Sequence, residues 1–344
     1  MRNIETMDTS ATATLSSTDV QAQQPTLHVS LSRVGVTNVE KVIRIRQNGV
    51  EQLFYAKLDC FVDLGPEQKG AHMSRFEETV NDVINEVVLG SSHFRAERVA
   101  ERIATLVRER QGASRAEVLI EARYPEHKPA PVSGIETQEI YTLLGSAVAY
   151  EGHSRRIIGV QAQGMTACPC AQQIIAGNAR EALQEDGFND DEIDRVFAAV
   201  PVATHNQRGL GTLHVGLPMD SDVELDARLL LDIVEDSMSS EIYEMMKRTD
   251  EASVVEKAHR RPRFVEDCVR EMIGGVVERL PQLDDSCWIS SRQENLETIH
   301  QHNVAAERHG LLGDMRKEIR DEEPCISTLT REAWLLDGPP QQSA

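Results

Sequence analysis

Phe54-Tyr55-Ala56-Lys57-Leu58-Asp59-Cys60-Phe61-Val62-Asp63-Leu64 alternates along most of its length. Successive side chains of a strand point to opposite faces. Phe54, Ala56, Leu58, Cys60, Val62 and Leu64 therefore predict a strand with one buried face. Upstream, residues 29–45 are β-branched, with a bulge expected near Gly35, and Gln47-Asn48-Gly49 carries the Asn-Gly signal of a tight hairpin. Downstream the period changes. Phe76, Val80, Val83, Ile84, Val87 and Val88 recur at helical spacing, as do Phe94, Val99, Ala100, Ile103, Leu106 and Val107. Alternation returns at Ala116, Val118, Ile120 and Ala122, and again over residues 140–150. The order is β-β-α-α-β-β.

The second half repeats this order in outline. Ile158, Val160 and Ala162 alternate, as do Leu213, Val215 and Leu217. Ala227, Leu230, Leu231, Val234 and Met238 form one helical stripe, and residues 265–280 form another, before strand-like Cys287-Trp288-Ile289. Cys60 and Cys268 fall on apolar faces and are expected in the core. Hairpins with paired helices on one face define an α+β fold of antiparallel sheets and argue against a parallel dinucleotide-binding sheet. Neither G-x-G-x-x-G nor G-x-x-x-x-G-K-[ST] occurs. The expected divisions are a disordered tail over 1–27, one unit over 28–152, a second over 153–311, and an extension over 312–344.

The 344 residues carry 56 acidic and 36 basic side chains, a net charge of −20. A field of that sign repels nucleic acid and anionic membranes, so neither is an expected partner. Only 7 of the basic residues are Lys. That scarcity, with acids spread along the whole chain, favours a high-salt, halophilic setting over an ordinary solvated surface. No apolar run spans a bilayer, and the polar start does not read as a secretion signal. Six cysteines without a ladder-like spacing fit a reducing, cytoplasmic location.

The densest chemistry lies in Gly164-Met165-Thr166-Ala167-Cys168-Pro169-Cys170, between a strand and the helical pattern of residues 171–183. Pro169 suits a first helical turn. Cys168 would then sit at the helix N-terminus, where the dipole favours thiolate. The C-x-C spacing is shorter than that of structural zinc sites, so one of the two sulfurs is the expected ligand. His205, in Thr204-His205-Asn206-Gln207-Arg208-Gly209, can bind metal or carry protons. Ser239-Ser240-Glu241 reads as a capped helix start bearing an acid. Glu297-Thr298-Ile299-His300-Gln301-His302 offers oxygen and nitrogen donors, and the two imidazoles share a face if the segment is extended. Taken singly, each also reads as a surface loop, a cap or a small buried hydrophobe.

Their order joins them. Cys168-Pro169-Cys170, His205-Asn206-Gln207-Arg208, Ser240-Glu241-Ile242-Tyr243, Lys247-Arg248-Thr249-Asp250-Glu251 with Glu256, Phe264-Val265-Glu266-Asp267 and Glu297-x-x-His300 follow one another. This succession resembles the type IB GTP cyclohydrolase family over roughly residues 28–310, as does Lys69-Gly70-Ala71-His72-Met73-Ser74-Arg75. The Gly164–Cys170 string and the long gap to His205 resemble its archaeal, MptA-type branch. Thr249 stands where many bacterial relatives carry Pro.

The resemblance implies a tunnelling fold (T-fold) of two ββααββ modules, closed by assembly into a homodimer or homotetramer. It implies a metal held by Cys168, His205, Glu241 and His300, with Glu297 beside it as an alternative ligand. Fe(II) is the expected ion, with Zn(II) or Mn(II) as alternatives. Cys168, His205 and His300 would be the catalytic residues. Glu256 would accept the guanine N–H donors, and Arg208, with Lys69 or Arg75, would meet the phosphates. The implied activity is hydrolysis of cyclic-amidine C–N bonds in GTP, releasing formate. The implied product is 7,8-dihydroneopterin 2′,3′-cyclic phosphate, for methanopterin or archaeal folate pterin synthesis. The alternatives are 7,8-dihydroneopterin triphosphate as product, an NADPH-dependent nitrile reductase of the same fold, or a metal-binding scaffold without catalysis.

Overall fold

The computed structural model describes residues 19–47, 50–90, 95–320, 324–325 and 329–336. The first half runs β1 (Leu31–Gln47), β2 (Val50–Leu64), α1 (Met73–Gly90), α2 (Ala96–Gln111), β3 (Ala116–Pro129) and β4 (Glu136–Tyr150). The second runs β5 (His153–Ala167), α3 (Pro169–Glu185), α4 (Asp190–Ala199), β6 (Asn206–Leu217), α5 (Ala227–Ser237), β7 (Ser240–Glu241), α6 (Arg248–Arg260), α7 (Val265–Arg279), β8 (Trp288–Leu296) and β9 (Val304–Leu311). The short helices α8 (Leu312–Ile319) and α9 (Arg331–Leu336) follow.

The strands form one antiparallel sheet in the order β1-β2-β3-β4-β5-β6-β8-β9, with β7 paired to β5. The fold class is α+β, as the alternation predicts. In β2, Phe54, Ala56, Leu58, Cys60, Val62 and Leu64 are all buried, whereas Leu53 and Tyr55 are exposed. Gly35 faces Phe61 in register, and the irregularities flank it, between Leu31 and Val34 and between Val36 and Val39. A Cβ at Gly35 would lie 1.9 Å from the Cys60 carbonyl oxygen, so that close strand approach requires glycine. Gln47 pairs with Val50, but the Asn48-Gly49 turn lies outside the described residues, as does Phe94 of the second helical stripe. So do residues 1–18 and 337–344 of the expected tail and extension. Within residues 19–27, Gln21 and Gln23 accept hydrogen bonds from the N–H groups of Gly70 and Lys69.

The main core lies between one sheet face and α1, α2, α5 and α7. Cys60 and Cys268 sit in it, and burial pushes both thiols up to about 12. The α3–α4 pair inserted between β5 and β6 stands away from this core, and α3 buries no residue. A smaller cluster of Val148, Ile157, Trp288, Trp334 and Leu335 packs α9 against the sheet. Among the described residues, no helix is long and apolar enough to cross a membrane.

Candidate metal centre

Four elements end together at one end of the sheet. Strands β5 and β6 close with Ala167 opposite Asn206. One row of residues, Glu241, Gly164, Gly209 and Asn295, runs across β7, β5, β6 and β8. The loop from β8 to β9, carrying Glu297 and His300, leaves from the same end. It is tied there by the Thr298 hydroxyl, which donates to the Asn206 carbonyl at 3.1 Å.

Cys168 leaves β5 and caps α3, with Pro169 in the first turn as expected. Its Sγ accepts the Ala171 N–H at 3.5 Å, so the positive end of the helix faces the sulfur. The Cys168 N–H donates to the His205 carbonyl at 3.1 Å, and the Thr204 hydroxyl donates to the Cys168 carbonyl at 3.1 Å. These bonds hold the segments that carry the thiol and the imidazole side by side. His259 of α6 braces the same segment by reaching the carbonyls of Thr204 (3.2 Å) and Val255 (2.8 Å). Cys170 is exposed.

The helix start expected at Ser239 is absent. Ser240 and Glu241 instead form β7, opposite Met165 and Gly164, and the next helix begins at Arg248. The physical reason is that the Ser239 hydroxyl accepts the Ala167 N–H at 3.0 Å, closing the end of β5 rather than a helix turn. Gly164 makes the close approach feasible, because a Cβ there would lie 2.6 Å from the Met238 methyl carbon. Both oxygens of Glu241 accept from the Lys257 ammonium, at 2.7 and 2.6 Å. Burial pushes the Glu241 carboxyl up, but the Lys257 contact and a backbone N–H outweigh it and hold the group below the ordinary range.

His300 and His302 are exposed in their loop, with rings stacked at 5.2 Å and an interplanar angle of 15°. The segment is bent rather than extended, yet the two imidazoles do share a face. Glu297 is half-buried at the loop's start. Cys168, His205, Glu241 and His300 thus come to the same end of the sheet. Among the described residues, however, no three His, Cys, Asp or Glu side chains close to metal-holding distance.

Glu256 lies on the exposed side of α6, where Arg260 binds its carboxylate at 2.8 Å. Arg208 is exposed on β6, between Met165 and Leu296. Lys69 and Arg75 follow the far end of β2, and within one chain the length of the sheet separates them from Cys168.

Sequence reading singled out His205 but missed the unpaired polar groups gathered around it. Thr166, His205, Gln207, Ser240 and Gln293 each bury a polar side-chain atom without a hydrogen-bond partner. Buried polar atoms are normally satisfied, so their gathering at one end marks a place built for a polar guest or for water. The unpartnered Nδ1 of His205 suits a ligand nitrogen. Together with a thiol and a carboxylate, it makes a donor set that fits a divalent transition metal. Deeper still, Lys128 meets Glu235 at 2.8 Å, both almost fully buried, and the Tyr141 hydroxyl donates to the same carboxylate at 2.8 Å. Lys128 also stands 4.4 Å from the centre of the Tyr243 ring. The readable signal for Lys128 and Lys257 was the rarity of lysine, since each is one of only 7.

The class so defined is an antiparallel α+β sheet that brings a thiol, imidazoles and carboxylates to one end. Comparison with known proteins narrows it. The family model described as Type I GTP cyclohydrolase folE2 matches residues 18–306. GTP cyclohydrolase MptA of Methanococcus maripaludis strain C6 is 38% identical over 309 residues, covering 88% of this chain and 98% of that protein. GTP cyclohydrolase MptA of Methanosarcina barkeri is 41% identical over 310 residues, covering 88% and 96%. The chain belongs to the type I GTP cyclohydrolase family. Among solved structures, a uricase from Arthrobacter globiformis aligns with a TM-score of 0.47 at 9% identity, covering 82% of this chain and 95% of that one.

Proposed function

We propose that the protein opens the guanine imidazole ring of GTP, releases C8 as formate and closes a dihydropterin. The preferred product is 7,8-dihydroneopterin 2′,3′-cyclic phosphate, formed with loss of pyrophosphate. The observation that carries this reading is the Cys168–His205 pair, joined by a backbone hydrogen bond at the sheet end that Glu241 and the His300 loop also reach. The family membership and the MptA-type relatives support it.

Cys168, His205, Glu241 and His300 would hold the metal, with Glu297 as an alternative oxygen ligand. Fe(II) is the preferred ion, and Zn(II) or Mn(II) would suit the same donors. A bound divalent cation supplies Lewis acidity and acidifies water beside guanine C8. Whichever of His205 and His300 is not committed to the metal would carry protons as the C8–N9 bond breaks. The Glu256 carboxylate would take the parallel N1–H and 2-amino donors of guanine once Arg260 yields it. Arg208 supplies a phosphate contact from β6. Lys69 and Arg75 would serve only from a neighbouring copy, consistent with two ββααββ modules per chain assembled as a homodimer or homotetramer.

The test is anaerobic incubation of the Fe(II)-loaded protein with GTP. We expect one formate per GTP and a pterin whose mass is that of the cyclic phosphate. Absence of formate from metal-loaded protein overturns the reading. A triphosphate mass would instead correct the product alone.

A further inference from the structure

We infer that Lys257 is a built-in competitor for the metal at Glu241. The inference rests on the proposed role of Glu241 as a ligand and deepens it. One ammonium lies 2.7 and 2.6 Å from the two Glu241 oxygens and so bridges the edge between them. A divalent metal takes a carboxylate oxygen at about 2.0–2.2 Å. The two cations therefore cannot share that edge, and a metal taking it displaces the ammonium.

The structure makes Lys257 the partner that moves. Glu241 sits in β7, pinned by its pairing with Gly164, and its side chain is 17% exposed. Lys257 lies near the end of α6 with a side chain 43% exposed, so its flexible stem has solvent to swing into. Its neighbours do not replace the lost contact. Glu256 is engaged by Arg260, and the buried Lys128 already holds Glu235. Metal entry thus costs an ion pair and brings a dication towards a freed ammonium. The chain would then hold its metal less tightly than the ligand set alone allows.

Titration of the full-length protein with Co(II), read by the thiolate-to-cobalt absorption band, tests this. Lys257→Met is expected to bind Co(II) about two- to fivefold tighter than wild type, the scale of one partly exposed ion pair. Lys257→Arg, which keeps the charge, should stay near wild type. In a Glu241→Gln background the Met substitution should have no effect, because its target is gone. A purely structural Lys257 gives the opposite sign: weaker binding with a lowered melting temperature. Equal or weaker Co(II) binding by a folded Lys257→Met protein, or by Lys257→Gln should the Met variant not fold, overturns the inference and leaves the ligand reading standing. A wild-type protein with no cobalt–thiolate band overturns both.

Discussion

Cys168 and Cys170 are two residues apart and chemically identical, yet their positions separate their roles. Cys168 caps α3 and is tied to His205, whereas Cys170 is exposed on the helix. Cys168→Ala is expected to abolish both the cobalt–thiolate band and formate release, and Cys170→Ala to leave both within about threefold of wild type, as for surface changes. Equal tolerance of the two changes, measured in the same assays, would count against a sulfur ligand. Glu256→Ala should raise KM for GTP by roughly 10- to 100-fold, the value of a charge-assisted hydrogen bond, with a smaller change in kcat. An unchanged KM would release Glu256 from the guanine role. That Cys168, His205 and Glu241 come to one end of the sheet could be anticipated because they occur in ordered strings. The roles of the buried Gln207 and Gln293 could not, because their meaning lies in which end of the sheet they share, and a linear chain does not display that.

At the level of elements, the alternation in β2 and the helical stripes are local properties and are read directly. The two-residue β7 is not: Ser239-Ser240-Glu241 looks like a helix cap until the free N–H of Ala167 claims the serine hydroxyl. Close packing between elements is equally silent in sequence. Helix α2 meets β4 so tightly that a Cβ at Gly145 would lie 2.3 Å from the Ala96 carbonyl carbon. Gly145→Ala should therefore cost about 1–3 kcal/mol by chemical denaturation, the usual range for overpacking. Asp250 ties α6 to the β3–β4 turn, accepting from the N–H groups of Val132 and Ser133, the Ser133 hydroxyl and the Lys247 N–H. Burial pushes its carboxyl up, but these donors outweigh that and hold it well below the ordinary range. The sign follows: its stabilisation is complete above the unfolded value near ~3.9 and is lost as pH falls through the lower folded value. Asp250→Asn should destabilise the fold at neutral pH and flatten the acid limb of its pH–stability curve. A curve parallel to wild type would remove Asp250 from the linkage.

For the whole molecule the decisive quantity is charge. The net −20 makes the folded chain repel itself, while its ion pairs are mostly exposed and individually weak. Raising KCl from about 0.15 M to about 1 M shortens the screening length from ~8 Å to ~3 Å. The melting temperature should rise across that interval, and a fall would mean that the ion pairs outweigh the repulsion. The overall α+β order was legible because each half announces its own periods. The placement of α9 was not, because nothing local in Trp334 says which surface it will meet. It meets Gly216, where a Cβ would lie 2.8 Å from the indole ring. The glycine and the tryptophan are thus fitted as socket and plug, and the freedom of each depends on the other. Gly216→Ala should harm the intact chain more than one ending at residue 328, since removing the plug relieves the tightest contact and leaves only the Trp288 Cβ, 3.2 Å away.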